Sequence, residues 1–519
     1  MSAPEAQPHT PGLSRDDTLL TSDPHSSAVR LDPEKIASWV GPSTVRSDWA
    51  DLIRSSEPSP YFTPYYDQVI GARLVLLSPL EMEIIKSPIF ERLAGIRQMS
   101  AFSLTSAGQA ATHSRLQHSI GAMELCSQAG QSLVIIATSD KSEQISDVAR
   151  GLPPRELQLL RLCGLLHDAS HLAFSHSLEH TEKRLNLYYD HDEELGNHLR
   201  RLGVESILER HNREFKISLD DILACFHKGH PYGAIVKAFG DRGDYLIRDA
   251  CGAGRSAEAL TQQLHVTRTL ARNLVLKMNG DFDSTSIQGA ELGVRKNEEG
   301  VRCIHALAQM RSQGFAQMCW APATELAREF LVSALERSLR CGLCSSEQLL
   351  DIASNGNDEA LVGVLLPQDQ ISIRTSRFDE QFRAVFSFTQ ADLRDEQRLL
   401  REDLDELQET VRAYLAGVVD EGALAVAHTW RDRKDLCYKT IDLDGRVERI
   451  EIGCELASHE KHFFVALLNE VPHTTRQLVE DKLKFLFNSY LKEGCDTSQN
   501  IFRHSKQENK PGESERLAA

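Results

Sequence analysis

The sequence lacks the features that membrane and secreted proteins require. No apolar run is long enough to cross a bilayer, and the first residues lack the charged-then-apolar pattern of a secretion signal. The 11 cysteines are odd in number and scattered, without the spacing of a disulfide framework. Because free thiols persist in a reducing compartment, we expect a cytoplasmic protein that has no membrane partner.

The chain also lacks an excess of basic charge. Lysine and arginine number 58 against 75 aspartates and glutamates, so the formal net charge is −17. A broad, sequence-independent grip on nucleic acid depends on clustered basic side chains, so nucleic acid is not expected as a main partner. Arginines that converge in one pocket would still bind phosphate groups locally.

What the chain has is helical periodicity. At 519 residues and 41% hydrophobic, it is long enough for one large domain with appendages or for two or three smaller domains. Apolar residues recur every three to four positions, which predicts helices over several segments, among them 117–136, 154–167, 256–277 and 300–339. Residues 1–60 and 499–519 are polar and aperiodic, and we predict that both are disordered.

The pattern changes beyond about residue 380. Residues 391–415 form a charged amphipathic segment, whose charges indicate a solvated helix face more simply than a coiled coil. The stretch TIDLDGRVERIEI alternates apolar and polar residues around Asp444-Gly445, which predicts a β-hairpin. Residues 289–299 permit a short strand and turn. We therefore predict a mainly α protein with a smaller mixed α/β lobe over residues 341–498.

Three separated segments carry an unusual set of histidines and carboxylates. His118 stands at the head of a helix, His167-Asp168 ends the apolar helix that leads into GLLHDASHLAFSH, and Asp241 opens DRGDYLIRD. Two imidazoles and two carboxylates suit Zn, Fe, Mn, Co or Ni better than calcium or a structural thiolate site. Each histidine taken alone is more often a surface or core residue than a metal ligand. The combination of the three segments favours a metal site.

The order H…HD…D resembles the HD phosphohydrolase superfamily. Further blocks are similar to its deoxynucleotide triphosphohydrolase-like group, which acts on dNTPs: FERLAGIRQMS, HSRLQHSIG, GLLHDASHLAFSH, YYDHDEELGN and DRGDYLIRDA. The resemblance covers roughly residues 61–340 and implies an HD-type helical catalytic domain there. Proteins of this kind are commonly dimers, tetramers or hexamers, so it also implies a homo-oligomer.

The resemblance implies a role for each matching residue. The metal ligands would be His118, His167, Asp168 and Asp241. His191 matches the general acid for the leaving group, and Glu179 stands where a carboxylate orients that histidine. Gln98 and Asp249 match positions that bond the sugar 3′-hydroxyl. Six residues match positions that hold the phosphate chain: Arg115, His171, His176, Arg242, Tyr245 and Arg311. Mg²⁺ would accompany the substrate phosphates. Arg92 and Arg248 are expected to form salt bridges that support the site.

Three positions depart from the pattern of that group. Cys319 and Pro322 occupy positions where a sugar-stacking tyrosine and a phosphate-binding lysine are usual, and Met99 replaces a leucine. Trp320 is a candidate replacement for the tyrosine. The leading prediction is hydrolysis of a dNTP to deoxynucleoside and triphosphate. The alternatives are an HD phosphatase or phosphodiesterase of a mononucleotide or cyclic nucleotide, and a slow-turnover nucleotide sensor or scaffold.

Overall fold

A computed structural model describes most of the chain between residues 63 and 497. The described residues are 63–67, 73–138, 145–178, 181–279, 286–375, 377–389, 392–393, 401–429, 436–442, 444–452, 462–488, 490–492, 495 and 497. The segments 1–60 and 499–519, for which disorder is predicted, lie outside these ranges, and so does Glu179.

Helices make up most of the described chain. In chain order they are α1 Pro79–Ile85, α2 Pro88–Ala94, α3 Arg115–Ser132, α4 Pro154–Leu166, α5 Glu182–Leu185, α6 His191–Arg201, α7 Val204–Phe215, α8 Leu219–Cys225, α9 Pro231–Ile235, α10 Arg242–Gly252, α11 Ala257–Arg272, α12 Glu298–Gly314, α13 Pro322–Arg340, α14 Ser346–Asn355, α15 Asp358–Val362, α16 Pro367–Thr375, α17 Phe378–Gln381, α18 Arg401–Leu415 and α19 His473–Phe487. Turns of 3₁₀ helix cover Ser100–Leu104, Ser175–Ser177, Ser286–Gly289 and Glu421–Ala423, and π-helical turns cover Val236–Asp241 and Phe315–Cys319.

The described strands form three sheets. They are β1 Thr63–Asp67, β2 Arg73–Leu77, β3 Val134–Thr138, β4 Ile145–Arg150, β5 Leu274–Asn279, β6 Glu291–Arg295, β7 Phe382–Thr389, β8 Leu424–His428, β9 Leu436–Ile441, β10 Val447–Ile452 and β11 His462–Leu468. β1 and β2 pair as an antiparallel ribbon, the order β10-β9-β6-β5-β3-β4 gives a six-stranded sheet, and β7-β11-β8 gives a three-stranded one. The predicted class, mainly α with a smaller mixed α/β part, is confirmed.

Two of the predicted helices extend beyond the ends of the helices in the structure. The helix predicted over 117–136 ends at Ser132 and is followed by β3, and the helix predicted over 256–277 ends at Arg272 and is followed by β5. β3 and β5 pair in parallel as interior strands of the six-stranded sheet. Both strands are short, mostly buried apolar runs, and such runs match a helix face and a buried strand equally well.

The helix predicted over 300–339 is also interrupted. It is split into α12 and α13 by the π-helical turn Phe315–Cys319 and by Ala321, whose backbone is extended. Pro322 is the first residue of α13, where a proline is tolerated because the amide it lacks has no partner inside the helix. The interruption matters because its residues line the cavity described below.

The predicted hairpin and charged helix are both present in the C-terminal part. β9 and β10 pair antiparallel, and Gly445 takes a φ of 79° in the turn between them. The hairpin extends the six-stranded sheet, because β9 pairs in parallel with β6. The described part of the charged segment is α18, whose Leu404, Val411 and Leu415 are buried in the core beneath the three-stranded sheet. The solvated-face interpretation of its charges therefore fits better than a coiled coil.

Candidate metal centre

Two packed helices and a π-helical turn position the predicted metal ligands. His118 lies in the second turn of α3, which begins at a capping box between Ser114 and Gln117. His167 is the C-cap of α4, so Asp168 begins the loop that follows. Asp241 ends the turn Val236–Asp241. Such π-helical turns recur at functional sites because they shift the direction in which a side chain points.

The four side chains converge on one point. His118 Nε2 lies 3.3 Å from Asp241 Oδ1 and 3.4 Å from Asp168 Oδ2. His167 Nε2 lies 3.3 Å from Asp168 Oδ1 and 3.7 Å from Asp241 Oδ1. One ligand atom from each of His118, His167 and Asp241 lies within 4.8 Å of the others. The structure therefore brings together all four residues that the sequence singled out.

The two imidazoles are oriented as metal ligands usually are. His118 Nδ1 is 2.9 Å from Asp244 Oδ2, and His167 Nδ1 is 2.8 Å from the carbonyl oxygen of Gly164. When each Nδ1 carries the proton, each Nε2 presents a lone pair. Both Nε2 atoms are buried, and neither has a hydrogen-bond partner among the described residues. Buried polar atoms without partners are costly, so this donor set fits a divalent cation.

The imidazoles and carboxylates of the centre shift one another's pKa values. Burial by itself would lower the pKa of His118, but the carboxylates of Asp241 and Asp244 raise it to about 10. Burial opposes ionisation of Asp168, whereas Arg115, His167 and His171 keep its pKa well below the usual range. Burial also opposes ionisation of Asp241, but His118 and His167 keep its pKa well below the usual range. Both carboxylates at the centre therefore stay ionised, the state in which they bind cations.

Asp244 is a residue that the sequence reasoning missed. It accepts from His118, and it also pairs with Arg248, whose Nε lies 2.8 Å from Asp244 Oδ2; all three side chains are fully buried. A Cβ at Gly121 would overlap the Asp244 carboxylate, so glycine is required there. The supporting salt bridge expected for Arg248 is present. The signal available in the sequence was the spacing of Asp241, Asp244 and Arg248 along one helix face.

Replacing Asp244 by asparagine is expected to weaken divalent-metal binding about 10- to 100-fold, because His118 loses its anionic partner. The variant is also expected to lose about 3 kcal/mol of stability, since Arg248 stays buried without a counter-charge. Calorimetric metal titration and thermal denaturation measure the two effects. Asp369→Asn is the matched control, because Asp369 is a buried carboxylate that pairs with Arg337 at 2.7 Å. An equal loss of metal affinity in both variants would contradict a specific role for Asp244.

Arg115 links the metal centre to the neighbouring loop. Its Nη1 pairs with Asp168 Oδ2, and its Nε donates to Ser175 Oγ at 2.6 Å. The side chain is almost fully buried, yet its Nη2 has no hydrogen-bond partner among the described residues. Because Arg115 lines the cavity above the metal centre, Nη2 is a donor available to an anionic ligand.

The loop after His167 is held by residues far away in sequence. Arg92 donates to the carbonyl oxygens of Ala169, His171 and Ala353, so its expected salt bridge is replaced by bonds to the backbone. The carboxylate of Asp358 accepts from the backbone amides of Arg97 and Phe174 at 3.0 and 2.7 Å. Phe174 has a φ of 54°, a left-handed conformation that non-glycine residues rarely adopt. These contacts keep the loop in an otherwise unfavourable shape.

The carboxyl of Asp358 is expected to make folding stability depend on pH. Burial raises its pKa to about 6 against the pull of the two amides, so folding favours the protonated form. Its contribution to stability is then fully present below its unfolded pKa and is lost as the pH rises through about 6. From pH 7 to pH 5, wild type should gain about 1 kcal/mol relative to Asp358→Asn. Urea denaturation at both pH values measures this difference; a constant or reversed difference would contradict it.

Three further histidines form a cluster beside the metal centre. The rings of His171 and His191 are stacked with centroids 4.0 Å apart, and His176 lies 4.7 Å from His171 and 5.8 Å from His191. His171 Nε2 is 3.2 Å from Asp168 Oδ1, which connects the cluster to the centre. His191 is the first residue of α6, where Asp190 caps the helix. Glu179, predicted to orient His191, lies outside the described residues.

One cavity contains most of the predicted site. Its volume is about 1370 Å³, and its walls include His167, Asp168, Asp241 and His191. All of the predicted substrate-contacting residues also line it: Gln98, Arg115, His171, His176, Arg242, Tyr245, Asp249 and Arg311. Asp249 is additionally 2.9 Å from His113 Nε2, a buried partner that the sequence reasoning did not name. Proximity places these residues at one site, and their individual roles stay predictions.

The departures from the family pattern lie on or beside the same cavity. Met99, Cys319 and Trp320 line it, whereas Pro322 begins α13. Lys237, another cavity residue, pairs with Asp192 at 2.9 Å. Pro322 stands where the family pattern has a phosphate-binding lysine, and it only begins a helix.

The chain is similar in sequence to several proteins, some of which are named as phosphohydrolases. No protein-family model matches the chain. An uncharacterized protein of Methanocaldococcus jannaschii is 24% identical over 64% of this chain and 62% of its own length. The metal-dependent phosphohydrolase cns2 of Cordyceps militaris is 25% identical over 37% of this chain and 46% of its own. The Dictyostelium discoideum homolog of the deoxynucleoside triphosphate triphosphohydrolase SAMHD1 is 25% identical over 35% of each chain.

A solved structure agrees with the fold. A phosphohydrolase from Bacteroides thetaiotaomicron matches with a TM-score of 0.51 and 16% identity, covering 78% of this chain and all of that one. The chain spans between about a third and three fifths of the curated relatives named above. The resemblance inferred from the motifs is confirmed: the chain is similar to metal-dependent phosphohydrolases of the HD type.

No helix in the described part of the chain has the length and apolar character needed to cross a bilayer.

Proposed function

We propose that this chain hydrolyses nucleotides with the help of a divalent metal, converting a dNTP to deoxynucleoside and triphosphate. The observation that carries the proposal is the convergence of two unpartnered imidazole Nε2 atoms and two carboxylates in a cavity lined by arginines. Metal ligands beside fixed cationic donors suit the hydrolysis of a phosphoester, whose transition state carries negative charge on phosphoryl oxygens.

His118, His167, Asp168 and Asp241 would hold the metal. Their nitrogen and oxygen donors suit Mn, Fe, Zn, Co or Ni, and Mg²⁺ would accompany the substrate phosphates. When bound, such a cation lowers the pKa of water and offsets negative charge on the phosphate. Asp168 is also held by Arg115, so its carboxylate is shared between the metal centre and an arginine.

The remaining cationic residues would bind and orient the phosphate chain. Arg115 offers its buried Nη2, and Arg242 and Arg311 line the same cavity. His171 and His176 line the same cavity, and His171 Nε2 lies 3.2 Å from Asp168 Oδ1 of the metal centre. The planar guanidinium fork matches two phosphate oxygens at once, so these arginines would fix the orientation in which the α-phosphorus is attacked.

His191 would move the proton that the reaction needs. Water attacks the α-phosphorus, forms a new P–O bond and gives up a proton to the solvent. The bond from that phosphorus to the 5′-oxygen breaks, and the 5′-oxygen takes a proton from His191 to become a hydroxyl. His191 lies in the cavity and stacks on His171 at 4.0 Å, next to the proposed phosphate-binding residues. A histidine in this position is suited to protonate a leaving oxygen.

A second candidate function is hydrolysis of a mononucleotide or cyclic nucleotide. It is favoured by Cys319 and Pro322, because they replace the sugar-stacking tyrosine and the phosphate-binding lysine that the dNTP-hydrolysing group usually has. This candidate keeps the same metal centre and the same proton donor, and it differs in the number of phosphates that the cavity must neutralise.

Chromatography of reaction products distinguishes the candidates. The full chain would be incubated with Mn(II) and a panel of dNTPs, NTPs, mononucleotides and cyclic nucleotides, beside a His167→Ala, Asp168→Ala double variant. Deoxynucleoside and triphosphate formed only by wild type would support the proposal. Turnover restricted to mononucleotides or cyclic nucleotides would support the second candidate.

Absence of turnover with every nucleotide, including mixtures that supply an activator, would contradict both enzymatic functions. It would favour the sensor or scaffold hypothesis, for which ligand binding without hydrolysis is expected. The homo-oligomer implied by the resemblance stays a prediction, which light scattering of the purified chain measures directly.

A further inference from the structure

An aromatic wall lines the cavity that holds the metal centre. Tyr245, Phe315 and Trp320 all line this cavity, and their rings are in sequence along it. The centroids of Tyr245 and Phe315 are 6.3 Å apart, and those of Phe315 and Trp320 are 4.9 Å apart. The Arg311 guanidinium lies 4.8 Å from the centroid of Phe315, so the middle ring of the wall also contacts one of the cationic residues.

The break between α12 and α13 fixes the position of Trp320. The Trp320 amide donates to the Phe315 carbonyl oxygen at 2.8 Å and closes the π-helical turn. Thr324 anchors the other side, because its Oγ1 donates to the Met318 carbonyl oxygen at 2.5 Å. Trp320 therefore lies on a structured turn that these two hydrogen bonds hold in place.

Trp320 is only partly covered by the protein. It is half-buried, and so are Phe315 and Tyr245, although each lies against other aromatic or cationic groups. A rigid aromatic surface that is held in place and left uncovered inside a cavity is suited to stacking on a flat ring.

We propose that Trp320, supported by Phe315, stacks on an aromatic ring of the substrate and selects phosphoesters that carry a nucleobase. The inference rests on the proposed function and adds the group that the cavity recognises besides phosphate. Because stacking is tolerant of base identity, Trp320 would favour nucleotides over phosphoesters without a ring and would discriminate weakly among bases. Trp320 acts here as a specificity-determining residue.

Calorimetric titration of the full chain tests the inference with two probes, dATP and inorganic triphosphate. A His191→Gln background would slow turnover during the titration. Trp320→Leu is expected to weaken dATP binding about 10-fold or more and to leave triphosphate binding within about twofold. Trp320→Phe, the conservative variant, should keep dATP binding within about threefold, since a phenyl ring also stacks.

Three results would overturn the inference: unchanged dATP binding in Trp320→Leu, an equal loss for dATP and triphosphate, or no dATP binding by the His191→Gln parent. An equal loss would show that Trp320 only supports the cavity. Failure of the proposed function is distinguishable, because it would appear as absence of hydrolysis by the wild-type chain while the Trp320-dependent difference in binding persists.

Discussion

Replacing Asp241 by asparagine is expected to lower the rate of nucleotide hydrolysis about 1000-fold or more. The carboxamide keeps the shape of the side chain but removes the negative charge 3.3 Å from His118 Nε2 and 3.7 Å from His167 Nε2. A bound metal contributes several kcal/mol of charge stabilisation in the transition state, and each 1.4 kcal/mol is a factor of ten in rate. Steady-state kinetics under saturating Mn(II) measures the loss.

The control for this variant is Asp405→Asn. Asp405 lines the same cavity, but it pairs with His428 at 3.0 Å on the C-terminal side of the cavity. The activity of the Asp405→Asn variant is expected to stay within about twofold of wild type, because a half-exposed pair contributes little to stability. Comparable losses in both variants would indicate that any carboxylate removed from the cavity disrupts it, and would contradict the specific role of Asp241.

Replacing His191 by glutamine is expected to lower the hydrolysis rate about 100-fold or more when the leaving group is an alcohol. General acids contribute about 10²- to 10⁴-fold to such reactions, and glutamine cannot donate a proton at useful rates. The same variant should lose less than about 10-fold on a nitrophenyl ester of a nucleotide, because nitrophenolate leaves without needing a proton. Rates on the two substrates, measured side by side, give the comparison.

His176→Gln is the matched control for His191. His176 lies 5.8 Å from His191 in the same cluster, but it is proposed to contact phosphate and not the leaving oxygen. Its loss should therefore be similar for the two leaving groups. If His191→Gln also lost the same factor on both substrates, the proton-donor role would be wrong, and His191 would instead help to bind phosphate.

The sequence was sufficient to predict which histidines and carboxylates converge, because this set of side chains is local and unusual. His118, His167-Asp168 and Asp241 are hard to explain as core or surface residues when three segments present them in the same order as a known family. The helical class was equally accessible, since α11 and α18 carry clear apolar periodicity. Both predictions rest on short-range patterns that need no knowledge of the tertiary structure.

The contacts that support the site could not be predicted in the same way. Asp358 lies far along the chain from Phe174, yet its carboxylate holds the Phe174 amide at 2.7 Å. Arg92 similarly binds the loop through backbone carbonyls, which carry no sequence signal. β3 and β5 were predicted as helix ends because a buried apolar run fits both a helix and a strand, and only their pairing inside a sheet decides between the two.

The most direct test of this account is the metal content of the purified chain. Elemental analysis after dialysis against each candidate metal would compare wild type with a His167→Gln, Asp168→Asn double variant. The control is His428→Gln, Asp405→Asn, which removes another imidazole and carboxylate from the same cavity. The account predicts about one divalent metal ion per chain in wild type and control, and a large loss in the first double variant. Metal content that is negligible in wild type, or equal in all three proteins, would contradict it.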